Sequence, residues 1–245
     1  LSAAAIGYEG TNTISASLFG AHGNAGSEVT PTWAATDVTN FQVYAVRDEL
    51  ESDNVRFVLT GTAGNVLPRM VSDLYEDVYQ DTNWNLSVRV KPESYPLTQV
   101  DGVTPTNYVI ELHGANVDAG VLMNEFTITG SLTSPGAGRR YAFVTGSKRV
   151  FIGAHRTNFT GSVRERTDVK VNSCRFWLDY LDDGALNSHA HDTQNAGTSA
   201  PHYYAYPFNT SASFGEISTF DTLVFNWEFS TNTGSDALGR FDVVD

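Results

Sequence analysis

Period-two alternation of apolar and polar residues constrains this chain to β-sheet more than anything else in it. In "NLSVRVKP", Leu86, Val88 and Val90 fall on one face and Ser87, Arg89 and Lys91 on the other, with Pro92 ending the run. Successive side chains of a strand point to opposite faces, so such a run buries one side and shows the other. "NEFTITGSL" repeats the pattern, with Phe126 and Ile128 against Glu125, Thr127 and Thr129, and "DTLVFNWEFS" sets Leu223, Phe225, Trp227 and Phe229 on one face. "FQVYAV", "RFVLTG", "NYVIELHG" and "DVKVNSCRFWLDY" read as further strands, and "RRYAFVTG" with "KRVFIGAHR" as a hairpin joined at "GS". Many short strands separated by glycine-containing turns predict an all-β fold, an antiparallel β-sandwich or jelly roll. One short helix is expected in "YLDDGALNSHAHD", with Asp182 or Asp183 as its N-cap and Leu186 facing inward.

Alternation is weak before Pro31. Residues 1–31 are rich in Ala, Gly, Ser, Thr and Asn and read as an N-terminal arm or linker, a loosely patterned first strand being the alternative. Residues 32–245 then form the sandwich. With 41% hydrophobic and 12% aromatic residues the body can bury a core without staples. Cys174 is the only cysteine, which excludes an intrachain disulfide scaffold. The net charge is −13 and Lys91, Lys148 and Lys170 are scattered, so no basic stripe exists for nucleic acid or an anionic membrane surface. No apolar run reaches the ~20 residues that span a bilayer, so membrane insertion is not expected. The chain opens on Leu1 without the pattern of a secretory signal and is expected to be a segment of a longer protein.

Several stretches carry residues able to do chemistry, each with a plainer alternative. If "SDLYEDVYQD" is extended, Asp73, Tyr75, Asp77, Tyr79 and Asp81 share one face, where stacking and hydrogen bonds suit a glycan or a protein partner. Asp77 and Asp81 are the candidate calcium ligands there, since calcium takes oxygen donors. A solvated loop with partly packed tyrosines is the alternative. In "GAHRTNFTG", Gly153 and Gly161 give a turn its backbone freedom and Phe159 is expected to plug the core, leaving His155 and Arg156 at the rim. Arg156 is expected first to make a local structural hydrogen bond there, and contact of His155 and Arg156 with a glycan or partner is the alternative. His189 and His191 of "HAHD" would converge on a strand but diverge on the expected helix, so no metal site and no cofactor is expected from them. Trp177 and Trp227 are core aromatics of the late strands. Cys174 reads as a small buried thiol, and no nucleophile elbow or phosphate loop is present. Sequons stand at Asn85, Asn158 and Asn209, a pattern that arises often by chance.

Residues 149–192 resemble the closing segment of laminin-G-like and concanavalin-A-like jelly rolls. There a strand ending in glycine leads through an aromatic-x-glycine turn to a strand with a large aromatic and then a short helix. The matching positions are Gly153, Phe159 and Gly161, then Phe176 and Trp177, then Leu181 and Leu186. The wording of "SDLYEDVYQDTNWNLSVRVKPESYP", "GAHRTNFTGSV", "TDVKVNSCRFWLDYLDD" and "FDTLVFNWEFSTNTGSD" is similar to laminin-G-like segments of virion structural proteins of marine tailed bacteriophages, over roughly residues 38–245. That resemblance implies a non-enzymatic module of capsid decoration, tail or fibre, on the virion exterior or tail. Its partners would be other virion proteins and further copies of itself in a symmetric assembly, with host-surface glycan as a ligand. The alternative within the same fold class is a glycan depolymerase. Retaining hydrolysis needs two carboxyls about 5–5.5 Å apart, and the acidic "E-x-D-x-x-E" strand of such enzymes is missing from the sequence, so no catalytic residue is expected.

Overall fold

The computed structural model describes residues 2–4, 14–23, 40–61, 66–94, 107–132, 137–156, 163–166, 170–192 and 223–229. Its strands are β1 (Ser2–Ala4), β2 (Ser15–Gly23), β3 (Phe41–Arg47), β4 (Val55–Thr60), β5 (Met70–Val71), β6 (Gln80–Pro92), β7 (Tyr108–Asp118), β8 (Val121–Ser131), β9 (Lys148–Ile152), β10 (Ala154–Arg156), β11 (Val163–Arg166), β12 (Ser173–Trp177) and β13 (Leu223–Glu228). The helices are α1 (Ala137–Thr145) and α2 (Asp183–His191). Two sheets carry the fold, one ordered β5-β4-β3-β2-β9 and one ordered β1-β6-β7-β8, and two ribbons pair β10 with β11 and β12 with β13. Every pairing among these strands is antiparallel. The protein is an all-β antiparallel sandwich, as the alternation predicts.

Cross-strand register explains the core. Val88, Leu112 and Ile128 stand side by side across β6, β7 and β8, as do Leu86, Gly114 and Phe126. This face packs on Leu18, Val43, Phe57 and Leu59 of the other sheet. Phe57 is the hub, with ring centroids 4.8 Å from Trp84 and 5.7 Å from Phe126. Gly114 makes room for that cluster, because a Cβ there would lie 2.3 Å from the Phe126 ring. Burying each of these side chains contributes roughly 1.5–3 kcal/mol.

Two parts of the chain differ from expectation. Residues 15–23, inside the expected arm, form β2 between β3 and β9, with Leu18 and Ala21 in the core. β2 is buried on both faces, so small residues replace alternation. At Gly20 a Cβ would sit 2.5 Å from the Phe41 carbonyl oxygen, and Gln42 Nε2 donates to Ser17 Oγ and to the Phe19 carbonyl, both at 2.8 Å. "RRYAFVTG" is not a strand either. It lies in α1, a second helix, where Phe143 is buried near Phe41 while Tyr141 and Val144 are exposed. One inward aromatic in so short a run fits either period. The "GS" hairpin therefore does not form, and β9 pairs with β2 instead. No helix of the described residues is long and apolar enough to cross a membrane.

Candidate functional site

The acidic stretch before β6 does not present one face. Asp77 and Asp81 both adopt positive φ, 55° and 59°, a conformation that aspartate tolerates better than most residues. The chain turns there, and the Val78 amide donates to the Asp53 carbonyl at 2.9 Å. Tyrosines and carboxylates are thereby separated. Tyr75 joins the core aromatics, 4.9 Å from Trp84 and 5.4 Å from Phe126, and Tyr79 is buried beneath Arg47, whose guanidinium lies 3.9 Å from the ring centre. Asp73, Asp77 and Asp81 are exposed. Among the described residues no group of three or more His, Cys, Asp or Glu is placed to hold a metal ion.

Gly153 takes φ 67° between β9 and β10, and its amide donates to the Leu18 carbonyl at 2.8 Å. His155 and Arg156 lie on β10, in register with Glu165 and Val163 of β11. Phe159 and Gly161 lie outside the described residues. In α2, Asp182 caps the helix by accepting from the Ala185 amide at 2.7 Å, and Leu186 is buried with Leu181. His189 is buried and His191 exposed, so the two diverge as a helix requires. Trp177 packs against Leu181 and Leu186 and meets His189 edge-on at 5.8 Å. Phe176, Phe225 and Trp227 form a stacked ladder on the β12–β13 ribbon, with spacings of 5.8 and 4.5 Å.

The densest polar chemistry was not singled out from the sequence. It lies on the outer face of the β6–β7–β8 sheet, where the residues after β12 and α2 cover the strands. Arg89 and Lys91 of β6 converge on Glu111 of β7 at 2.9 and 2.8 Å. Arg89 also reaches Asp183 at 2.7 Å and donates to the Leu181 carbonyl at 2.9 Å, while Lys91 donates to the Tyr180 hydroxyl at 3.0 Å. Tyr180 in turn donates to Glu111 at 2.7 Å, so both carboxylate oxygens are occupied. Burial pushes the Glu111 carboxyl up, but the Lys91 and Tyr180 hydrogen bonds and the Arg89 charge together hold it below its ordinary value. The Glu111 hydrogen bond in turn raises the Lys91 ammonium. His113, the next outward residue of β7, bonds Thr127 Oγ1 at 2.9 Å and is held low by burial and then by the Arg89 charge. His189 is pushed down to about 4 by burial and by the charge of Arg175, its hydrogen-bonded neighbour. The signal available in sequence was the i, i+2 pairs Arg89/Lys91 and Glu111/His113, but only strand register brings them together.

Beside this seam the edge of β6 borders a cleft of about 480 Å³, lined also by β9, the end of α1 and the β12 segment. Cys174 lies on its wall with its thiol pushed up to about 12 by burial, so it is protonated and not a nucleophile at neutral pH. Compared with protein-family models, with curated proteins and with solved structures, the chain matches none.

Proposed function

We propose that the chain is a non-enzymatic, laminin-G-like structural module of a tailed-bacteriophage virion, on the particle exterior or tail. It acts in assembly, packing against other virion proteins and further copies of itself, and its outward ligand is host-surface glycan. The antiparallel sandwich and the resemblance in wording support this reading. The observation that carries its non-enzymatic part is Glu111, the carboxylate enclosed in the seam, whose two oxygens are both taken up by Arg89, Lys91 and Tyr180 and so are closed to a substrate. A glycosidase needs two carboxyls open to the sugar, one to give up a proton and one to attack or to activate water. Here the charges fasten residues 178–191 to the sheet.

Two measurements test the reading. Incubation with neutral and acidic polysaccharides should release no reducing ends; release that is lost in a folded Asp77→Ala or Glu111→Gln variant would establish the depolymerase instead. Cryo-electron microscopy of particles carrying the protein should place it in a repeated outer layer, tail or fibre. Its absence from the particle would overturn the assembly role.

A further inference from the structure

We infer that β8 is a homotypic assembly edge, through which two copies of this chain join their β1-β6-β7-β8 sheets by antiparallel pairing about a two-fold axis at Thr127. The inference rests on the reading of the chain as an assembly module, and names the surface and the partner.

β8 is the last strand of its sheet, and among the described residues no strand pairs with its far edge. Residues 121–125 are exposed, and alternate residues remain so to Ser131, with Val121 at 59% and Met123 at 58%. An edge strand offers a row of backbone donors and acceptors whose natural partner is another extended strand. Proteins that avoid such pairing place lysine, proline or a bulge on the edge. β8 has neither lysine nor proline, and its one register shift sits at the hairpin tip beside Asn116, leaving Asn124–Ser131 in regular register with β7.

The sequence "EFTIT" of residues 125–129 is self-complementary when reversed on itself. With Thr127 on the axis, the two Thr127 side chains meet on the outer face, and Phe126 of each copy lies opposite Ile128 of the other on the inner face. Thr–Thr and aromatic–β-branched pairs are among the favourable cross-strand combinations. Glu125, the only charged residue of β8, then faces Thr129, so no like charges meet across the pair. On the inner face Asn124 comes opposite Gly130, beside the Pro68 and Met70 side chains that pack on Gly130, and on the outer face Met123 comes opposite Ser131. A two-fold axis repeats each contact, which is the form of a closed, self-limiting dimer.

Sedimentation of the full chain at micromolar concentration, in low and moderate salt, reads the association directly. The expected species is a dimer that tightens with salt, because each copy carries a net charge of −13. Thr127→Lys places two ammonium groups on the axis and should weaken dimerisation at least about tenfold. Thr129→Lys, on the same face, meets Glu125 of the other copy and should leave the dimer intact. Thr127→Cys should give a covalent dimer on mild oxidation, which Thr129→Cys should not. A wild-type monomer, or a dimer equally sensitive to lysine at both positions, overturns the pairing. A monomer that still enters particles overturns the β8 pairing alone, whereas a monomer that does not enter them overturns the assembly reading as well.

Discussion

The two faces of the β6–β7–β8 sheet are built from the same strands by the same alternation, yet they are buried by opposite means. On the inner face Trp84, Leu86, Val88, Ile110, Leu112 and Phe126 meet the second sheet through apolar contact. On the outer face Arg89, Lys91, Glu111 and His113 are covered by the residues that run from β12 into α2. The inner face gains free energy from every Å² removed from water. The outer face loses hydration and recovers it through the pairs centred on Glu111, with Arg89 Nε and His113 Nε2 already buried without a hydrogen-bond partner, so its tolerance of single changes is low. Polarity along a strand therefore does not mark the side that faces solvent; here it marks where a later segment of chain docks.

Substitutions can set the two faces against each other. Phe57→Ala, which empties the aromatic hub, should cost the most, about 3–5 kcal/mol in denaturant unfolding. Glu111→Ala should cost about 3 kcal/mol, because Arg89 and Lys91 lose the carboxylate they share. A cost under ~1 kcal/mol would mean that the outer face is wet and its charges are solvated. Acid should act on the outer face selectively. His189 is neutral in the fold down to about 4, whereas an unfolded histidine titrates near 6.5. The unfolded chain then binds the proton first, so this contribution is complete above about pH 6.5 and is lost as pH falls toward 4, to a total of about 3 kcal/mol. A His189→Phe variant should lose that part of the pH dependence, and an unchanged profile would remove His189 as its source. The smallest effect is expected away from both faces. Ala119 holds φ 47° beside Gly120 at 79°, the pattern of a tight hairpin turn that favours asparagine or glycine. Ala119→Asn should stabilise the β7–β8 hairpin by roughly 1 kcal/mol.

What could be read from the sequence follows the range of the interaction that decides it. The β6 and β8 faces were legible because alternation is local, and the Asp182 cap was legible because a carboxylate three residues before Ala185 needs no distant partner. β2 was not, since a strand buried on both faces and filled with Ala, Ser and Gly carries no alternation. The shared face expected of Asp73 to Asp81 fails at the positive φ of Asp77, which turns Val78 and Tyr79 into the core. The Arg89–Glu111 pairing depends on a register set across the long connection between β6 and β7, which neither strand specifies alone.

The double-mutant cycle of Arg89→Met and Glu111→Leu tests most directly whether the charged face is a fastening. Each single change should cost about 3 kcal/mol, and the double variant about 3–4 kcal/mol rather than the ~6 of independent changes, a coupling of roughly 2–3 kcal/mol, because removing the second partner costs little once the first has gone. Additive costs near zero would contradict this and show that the two charges are held for something other than stability.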